Sequence, residues 1–309
     1  MAVLSVETKK ISELEAATTL NANSLFVADM PTVGTQKLAY SDLVGNIKDS
    51  LQIPRAADAV ATSAIATAYT NSQTQITAAS LGYDLNDRLT VIERENDCIN
   101  GVLTYGVELQ LSDLLAYIRA GQFHKFAIGD YITVNSEKWC VAAKNYWQSG
   151  VVPDDAKHVV LMPLNRLGDT GYKYNSTNTN TGGFNGSELK TTLTTTIYNA
   201  LPSALRSACL DMYTYESTKS SNARYTRKIK LPNEKQVFGS SLFAPYLGAS
   251  YQQLPLCRSL QFLGENNFWL LDPDNDTTTQ FLYYNIGYQS VRPQNASSTA
   301  GVRPIITVG

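Results

Sequence analysis

Between Ala56 and Ile99 the apolar positions recur at alternating steps of four and three residues, the spacing that gathers side chains onto one seam of a supercoiling helix. The second half of this stretch keeps the rhythm through Leu85, Leu89, Ile92, the polar Asn96 and Ile99. The first half keeps it more weakly, collecting Ile65, Tyr69, Ser72, Ile76, Ala79 and Tyr83, and its phase slips by a residue beside Gly82. A solitary helix with so narrow an apolar stripe leaves most of its backbone in water without tertiary support. The pattern therefore predicts a helical coiled-coil stalk over residues 55–100, in which three copies of the chain zip together. Its seam would be Ile65, Tyr69, Ile76, Leu85, Leu89, Ile92 and Ile99. The other arrangement open to this pattern is one amphipathic helix lying on its own domain.

Upstream, residues 1–54 hold too little apolar material for a core of their own, which predicts a module that docks onto something else. A short strand at Leu25–Ala28, a turn region from Asp29 to Gly34 and a second strand at Gln36–Ala39 precede a helix that Ser41 can cap and Pro54 ends. Downstream, residues 101–309 mix both periods. Leu109–Ala120 predicts a helix with Ser112 as cap, an apolar face of Leu114, Leu115 and Ile118, and Gly121 just past its end. Phe126–Val134 and Lys138–Ala143 predict two strands joined at Asn135-Ser136-Glu137, with a third at His158–Met162. From Gly168 to Gly186 aliphatic residues nearly vanish, which predicts a surface loop. Ser187 then opens a helix with Leu189, Leu193, Ile197 and Leu201 on a four-residue stripe, and Pro202 interrupts it before a second short helix over Ala204–Met212. Strand-like segments follow at Phe268–Leu271, Gln280–Asn285 and Val302–Val308. The fold class expected is α+β, a mixed head behind a helical stalk and a small attachment module.

Composition narrows the function. With 43% hydrophobic and 17% charged residues the 309-residue chain is an ordinary folded protein, and a net charge of −2 with no basic run argues against nucleic acid as a partner. No apolar run reaches membrane-spanning length, and the N-terminus lacks a secretory pattern, so neither membrane insertion nor export by a signal is expected. Tyrosine stands at 18 against 3 Trp and 9 Phe, beside many Asn, Ser and Thr. That mixture suits an exposed recognition surface, and equally suits ordinary Tyr-rich β-structure. Cys98, Cys140, Cys209 and Cys257 are widely spaced and predict buried thiols rather than a metal site or a disulfide framework.

Two stretches carry resemblances. Ile11-Ser12-Glu13-Leu14 and Ser41-Asp42-Leu43, around the short strand pair, resemble the N-terminal virion-attachment segments of bacteriophage fibre proteins. That resemblance implies docking to a capsid or tail protein through Ile11, Leu14, Phe26, Val27 and Leu43, and a place in the virion after assembly in the host cytoplasm. In the head, Phe126-x-Ile128-Gly129-Asp130-Tyr131-Ile132, Trp139-x-Val141, Leu231-Pro232 through Val237-x-Gly239, Trp269-Leu270 and Gly301-Val302-Arg303-Pro304 look like an uncharacterised domain family of bacteria and their phages. This family belongs with the C-type-lectin-like fold of phage tropism determinants, which implies a lectin-like head. Members often carry Arg-Ser after the Trp-Leu pair, where this chain has Leu271-Asp272, so the same pocket chemistry is not implied.

Chemistry has few footholds. With 2 histidines, His124 and His158, and no phosphate loop, HExxH or GxSxG, no catalytic residue, cofactor or metal is predicted. The fold family also includes formylglycine-generating oxidases, which use paired cysteines; here Cys209 and Cys257 could meet only by folding, and nothing in their surroundings marks them as activated. Asp272, Asp274, Asn275 and Asp276 could converge on a hard cation or form a solvated turn. Arg303 is expected to tie the last strand to a neighbouring carboxylate or carbonyl. Sugars are held by aromatic faces and short polar groups together, which marks Tyr172, Tyr174, Asn175, Asn178, Trp269, Asp274, Tyr283, Tyr284, Tyr288 and Asn295 as receptor-binding candidates, Trp269 being as well suited to the core. The expected function is a homotrimeric fibre whose head binds a glycan or protein on a host cell; a virion part without ligand, or an enzyme, are the other classes.

Overall fold

A computed structural model of the chain describes residues 25–30, 34–39, 85–153, 156–218, 221–244, 252–264 and 267–309. The chain divides into two compact units, residues 1–76 and 77–309. In the first, β1 (Leu25–Met30) pairs antiparallel with β2 (Gly34–Ala39), with Leu25 opposite Ala39, as the strand–turn–strand pattern predicts. Phe26 and Val27 lie on β1. Ile11, Leu14 and Leu43, the helix expected after Ser41, and the seam positions Ile65, Tyr69 and Ile76 lie outside the described residues.

The second unit is mixed α+β. It opens with α1 (Leu85–Ile99) and α2 (Leu111–Ala120), followed by β3 (Tyr131–Val134), β4 (Glu137–Lys144), β5 (Val159–Pro163) and β6 (Leu167–Lys173). Helix α3 starts at Glu188–Thr192, widens into a π segment at Leu193–Ile197 and closes with Tyr198–Ala200; α4 spans Ser203–Ala208. Strands β7 (Met212–Ser217), β8 (Asn222–Arg227) and β9 (Ile229–Lys230) precede α5 (Glu234–Phe238) and α6 (Leu260–Leu263). The chain finishes with β10 (Phe268–Pro273), β11 (Gln280–Asn285), β12 (Ser290–Asn295), β13 (Thr299–Val302) and β14 (Ile305–Val308).

Two five-stranded sheets result, in the orders β3-β4-β5-β14-β9 and β12-β11-β10-β13-β6. All pairings are antiparallel except β10 with β13. The chain passes from one sheet to the other between β13 and β14, where Arg303 and Pro304 intervene. Asn135 and Ser136 make the β3–β4 turn with φ of 49° and 69°, the pair of left-handed residues whose twist suits a two-residue hairpin. Phe126–Asp130, expected as strand, instead folds into a turn, because the Asp130 carboxylate accepts the Ala127 N–H at 2.8 Å.

Helix α2 buries Leu114, Leu115 and Ile118 as expected, and Gly121 closes it in the left-handed region. Its N-cap is Gln110 rather than Ser112, and no side chain caps it. In α3, Ser187 accepts the Lys190 N–H at 3.1 Å, and Leu189, Leu193, Ile197 and Leu201 are all buried. A stripe at every fourth residue drifts around a helix of 3.6 residues per turn; the wider π turn takes up that drift and keeps the stripe on the core.

The stretch from Gly168 to Gly186 corrects the expectation of a surface loop. It contributes β6, which pairs with β13, and then buries Tyr174, Asn175, Asn180 and Phe184. Two amides do the work of missing secondary structure. Asn175 accepts the Glu188 N–H at 3.0 Å and donates to the Thr179 carbonyl at 2.7 Å. Asn180 donates to the carbonyls of Thr277 and Gln280 at 3.0 and 2.9 Å. With its backbone groups paired this way, a polar stretch can enter a core.

Helix α1 has two unlike faces. Val91 and Cys98 are buried against the head, and Arg94 forms a two-pronged ion pair with Asp130 at 2.7 and 2.8 Å. Asp130 is fully buried and also accepts the Val107 N–H at 2.9 Å. Glu95 pairs with Lys144 and accepts the Ile128 N–H. Gly129 permits this approach: a Cβ there would stand 2.4 Å from the Cys98 sulfur. On the other face Leu89 and Ile92 are each 55% exposed, Asn96 is exposed, and Ile99 is half-buried at the edge of the core. Leu85 begins the helix. The helix thus lies on its own head and leaves Leu89, Ile92 and Asn96 to solvent.

Candidate functional site

The strands β7 and β8 form a two-stranded ribbon that joins neither large sheet. Its register sets Tyr213 opposite Thr226, Tyr215 opposite Arg224 and Ser217 opposite Asn222. Because successive strand residues point to opposite faces, β7 separates from 212 to 216, before Ser217 is buried at the strand's end. Met212, Thr214 and Glu216 are buried, whereas Tyr213 is half-exposed and Tyr215 is 47% exposed. Arg224 lies over the Tyr213 ring at 5.2 Å and donates to the Gly150 carbonyl, which holds its guanidinium flat along the face. The outward surface is therefore aromatic rings, an arginine plane and short polar side chains on a rigid hairpin. Such a face can stack on the CH faces of sugars and hydrogen-bond hydroxyl or anionic groups. The alternation Met-Tyr-Thr-Tyr-Glu at 212–216 is the signal by which it could have been found in the sequence.

The ten residues singled out from the sequence fare differently. Tyr174, Asn175, Trp269, Asp274, Tyr283 and Tyr284 are buried, which corrects their assignment to a contact surface. Tyr174 stacks on Phe281 with centroids 3.5 Å apart and donates its hydroxyl to the carbonyls of Leu270 and Leu271. Trp269 donates to the Tyr172 carbonyl at 2.7 Å. Trp269, Tyr283 and Tyr284 are buried because β10 and β11 are interior strands of their sheet, covered on both faces. Tyr172 is half-buried, and only Asn178, Tyr288 and Asn295 are exposed. Asn178 accepts from the Ser297 N–H and hydroxyl, close to Asn295, whereas Tyr288 occupies the turn at the far end of the β11–β12 hairpin. Five strand residues, roughly 17 Å, separate the two ends, so these exposed residues make no single patch.

Beneath the ribbon lies a buried charge cluster. Glu216 is gripped by the Arg227 fork at 2.8 and 2.9 Å, and Arg227 also donates to Asn185. Lys230 is fully buried with its ammonium 5.4 Å from the Trp147 ring, and burial pulls it down to about 8. Asp272 accepts the Glu234 N–H at 2.6 Å, and burial pushes its carboxyl up to about 7. The Leu231-to-Gly239 motif explains itself here. Asn233 and Gln236 form a reciprocal capping box, Gly239 ends α5 at φ 80°, and the Glu234 carboxylate accepts the N–H groups of Leu242, Phe243 and Ala244.

The Asp272 carboxyl has a measurable consequence. Its folded-state value is raised above the 3.8 of the free acid, so between those values the native state holds a proton that the unfolded chain has lost. Head stability should therefore fall as pH rises from about 4 to about 7, by about 2–4 kcal/mol, and flatten above. Urea titration of wild type and Asp272→Asn at pH 4, 5.5 and 7 checks this: the variant should lose that slope, and an unchanged slope would reject the assignment.

The residues open to enzyme chemistry sit elsewhere in the core. All four cysteines are buried; burial raises Cys98 to about 11 and Cys140, Cys209 and Cys257 to about 12. His158 spends both ring nitrogens on the Trp147 N–H and the Ala156 carbonyl. Asp272 and Asp274 are buried, and Asp274 accepts the Thr277 N–H at 3.0 Å. Among the described residues no group of three or more His, Cys, Asp or Glu is arranged to hold a metal ion, and no helix is long and apolar enough to cross a membrane. No family model, curated protein or solved structure matches the chain.

Proposed function

We propose that this chain is a homotrimeric bacteriophage virion fibre: residues 1–54 dock it to a capsid or tail protein, a coiled coil holds three copies, and a C-type-lectin-like head contacts a glycan or protein on the host cell. The observation that carries this reading is the two-faced α1, fastened to its own head on one side and exposing Leu89, Ile92 and Asn96 on the other. An apolar ridge of heptad spacing left in water is the form a helix takes when it waits for copies of itself. The ribbon face of Tyr213, Tyr215, Arg224 and Thr226 supports a contact role for the head, being aromatic and polar at low entropy cost. Three such faces on one stalk would raise a weak contact by avidity.

Binding of the full chain to host cells or a glycan array tests the proposal. Tyr215→Ala and Arg224→Ala should each weaken binding by about 10-fold or more while leaving the circular dichroism spectrum unchanged, as loss of an anchor does. Persistent incorporation into virions with no cell or glycan binding would favour the purely structural role.

A further inference from the structure

The four-then-three spacing fixes heptad positions within α1. The longer step runs from d to a and the shorter from a to d, so Leu85, Ile92 and Ile99 take d, and Leu89 and Asn96 take a. Leucine at a with isoleucine at d is the combination that disfavours two strands and suits three or four. Of the residues that meet the head, Val91, Arg94 and Cys98 fall at c, f and c, the flank a coiled coil leaves outside, while Glu95 at g and Ile99 at d touch its edge. The head therefore leaves Leu89, Ile92 and Asn96 open and covers only the Ile99 end of the stripe. Position g holds Arg88 and position e holds Glu93, five residues on. In a parallel coil the g side chain of one strand meets the e side chain of the next at that offset, and here the charges are opposite. A polar Asn96 at a is most readily satisfied facing its own copies, which fixes register.

The surface just past α1 is apolar as well. Val102, Leu103 and Val107 are 67%, 39% and 47% exposed, on a segment tied back by the Val102 and Leu103 N–H groups to the Asp97 carbonyl. We infer that copies of this chain associate in parallel and in register through α1, with Arg88 of each facing Glu93 of the next, and that the Val102–Val107 segments continue the contact at the base of the heads. This rests on the trimer reading and gives it a direction and an interface.

The full-length Asn96→Cys chain tests it under mild oxidant. The native thiols are buried, so cross-linking reports on Cys introduced at this position alone. Parallel, in-register copies bring position 96 against itself, and a disulfide should pair two chains and leave the third single on a denaturing gel. Thr90→Cys, an exposed b position, should stay uncross-linked. Charge reversal gives a second readout: Arg88→Glu or Glu93→Arg should each shift dissociation at least tenfold toward monomer, and the double reversal should restore it. Trimers by light scattering that neither cross-link at 96 nor respond to the reversals would overturn the parallel register while leaving the trimer standing. A monomeric wild-type chain would remove both.

Discussion

Alanine in place of Asp130 should cost the second unit about 3–5 kcal/mol, because it breaks a buried ion pair by removing one member only. The carboxylate takes four hydrogen bonds, from both prongs of Arg94 and from the Val107 and Ala127 N–H groups. All would lose their partner at once, and burial denies two of those donors easy access to water. The loss should be read twice: as a lower urea midpoint, and as earlier amide exchange in α1 than in the two sheets, since the Arg94 link and the Glu95–Ile128 bond are the polar ties from that helix to the turn at 126–130, and the first would be lost. Asp130→Asn, which keeps the shape and part of the acceptor capacity, should fall between. If alanine leaves both readouts unchanged, the helix is held by Val91 and Cys98 packing and the Glu95 links, and the Arg94–Asp130 pair contributes little.

Arg303→Ala should be comparably severe, about 4 kcal/mol or more. The side chain is fully buried and donates to the carbonyls of Pro163 and Leu263, each at 2.9 Å. Its guanidinium lies over Phe262 at 4.3 Å and near Phe268 at 5.2 Å. Burial pulls it down to about 10, so it stays charged at neutral pH. Truncation would orphan two carbonyls and leave a cavity, and both penalties apply together. Lysine should recover little, because one ammonium cannot reproduce a planar fork stacked on rings. The measurement is chemical unfolding of the full chain; a midpoint within error of wild type for the alanine variant would reject the account.

How far the sequence could be read depended on what each pattern competes with. Helix α3 and its Ser187 cap were legible because a leucine stripe behind a capping serine has few other meanings. Arg303 was readable as a structural tie, and carbonyls rather than a carboxylate proved to be its partners. The helical stripe at 85–99 was legible as spacing: Leu89 and Ile92 face outward, whereas Ile99 sits at the edge of the core. The stretch at 168–186 was not, because apolar content alone judged it, whereas Tyr174 and Phe184 supply the buried area and Asn175 and Asn180 pair the backbone. The contact candidates failed for a related reason. Whether a tyrosine on a strand is covered depends on its strand's place in the sheet, which local sequence does not encode. The alternation at 212–216 marks Tyr213 and Tyr215 as one face of a strand, but that this face is open follows from the ribbon's separation from both sheets, which is topology.

The position of β14 in its sheet bears on how the molecule is made. This strand sits between β5 and β9, with Ile306 opposite both Leu161 and Ile229. Every other strand of that sheet has left the ribosome before this interior strand exists, so translation must run nearly to residue 308 while β5 and β9 wait with bare edges. Helix α1 emerges some two hundred residues earlier. A lesion at 305–308 would therefore leave every earlier element made but the sheet unclosed, with the β5 and β9 edges open to aggregation.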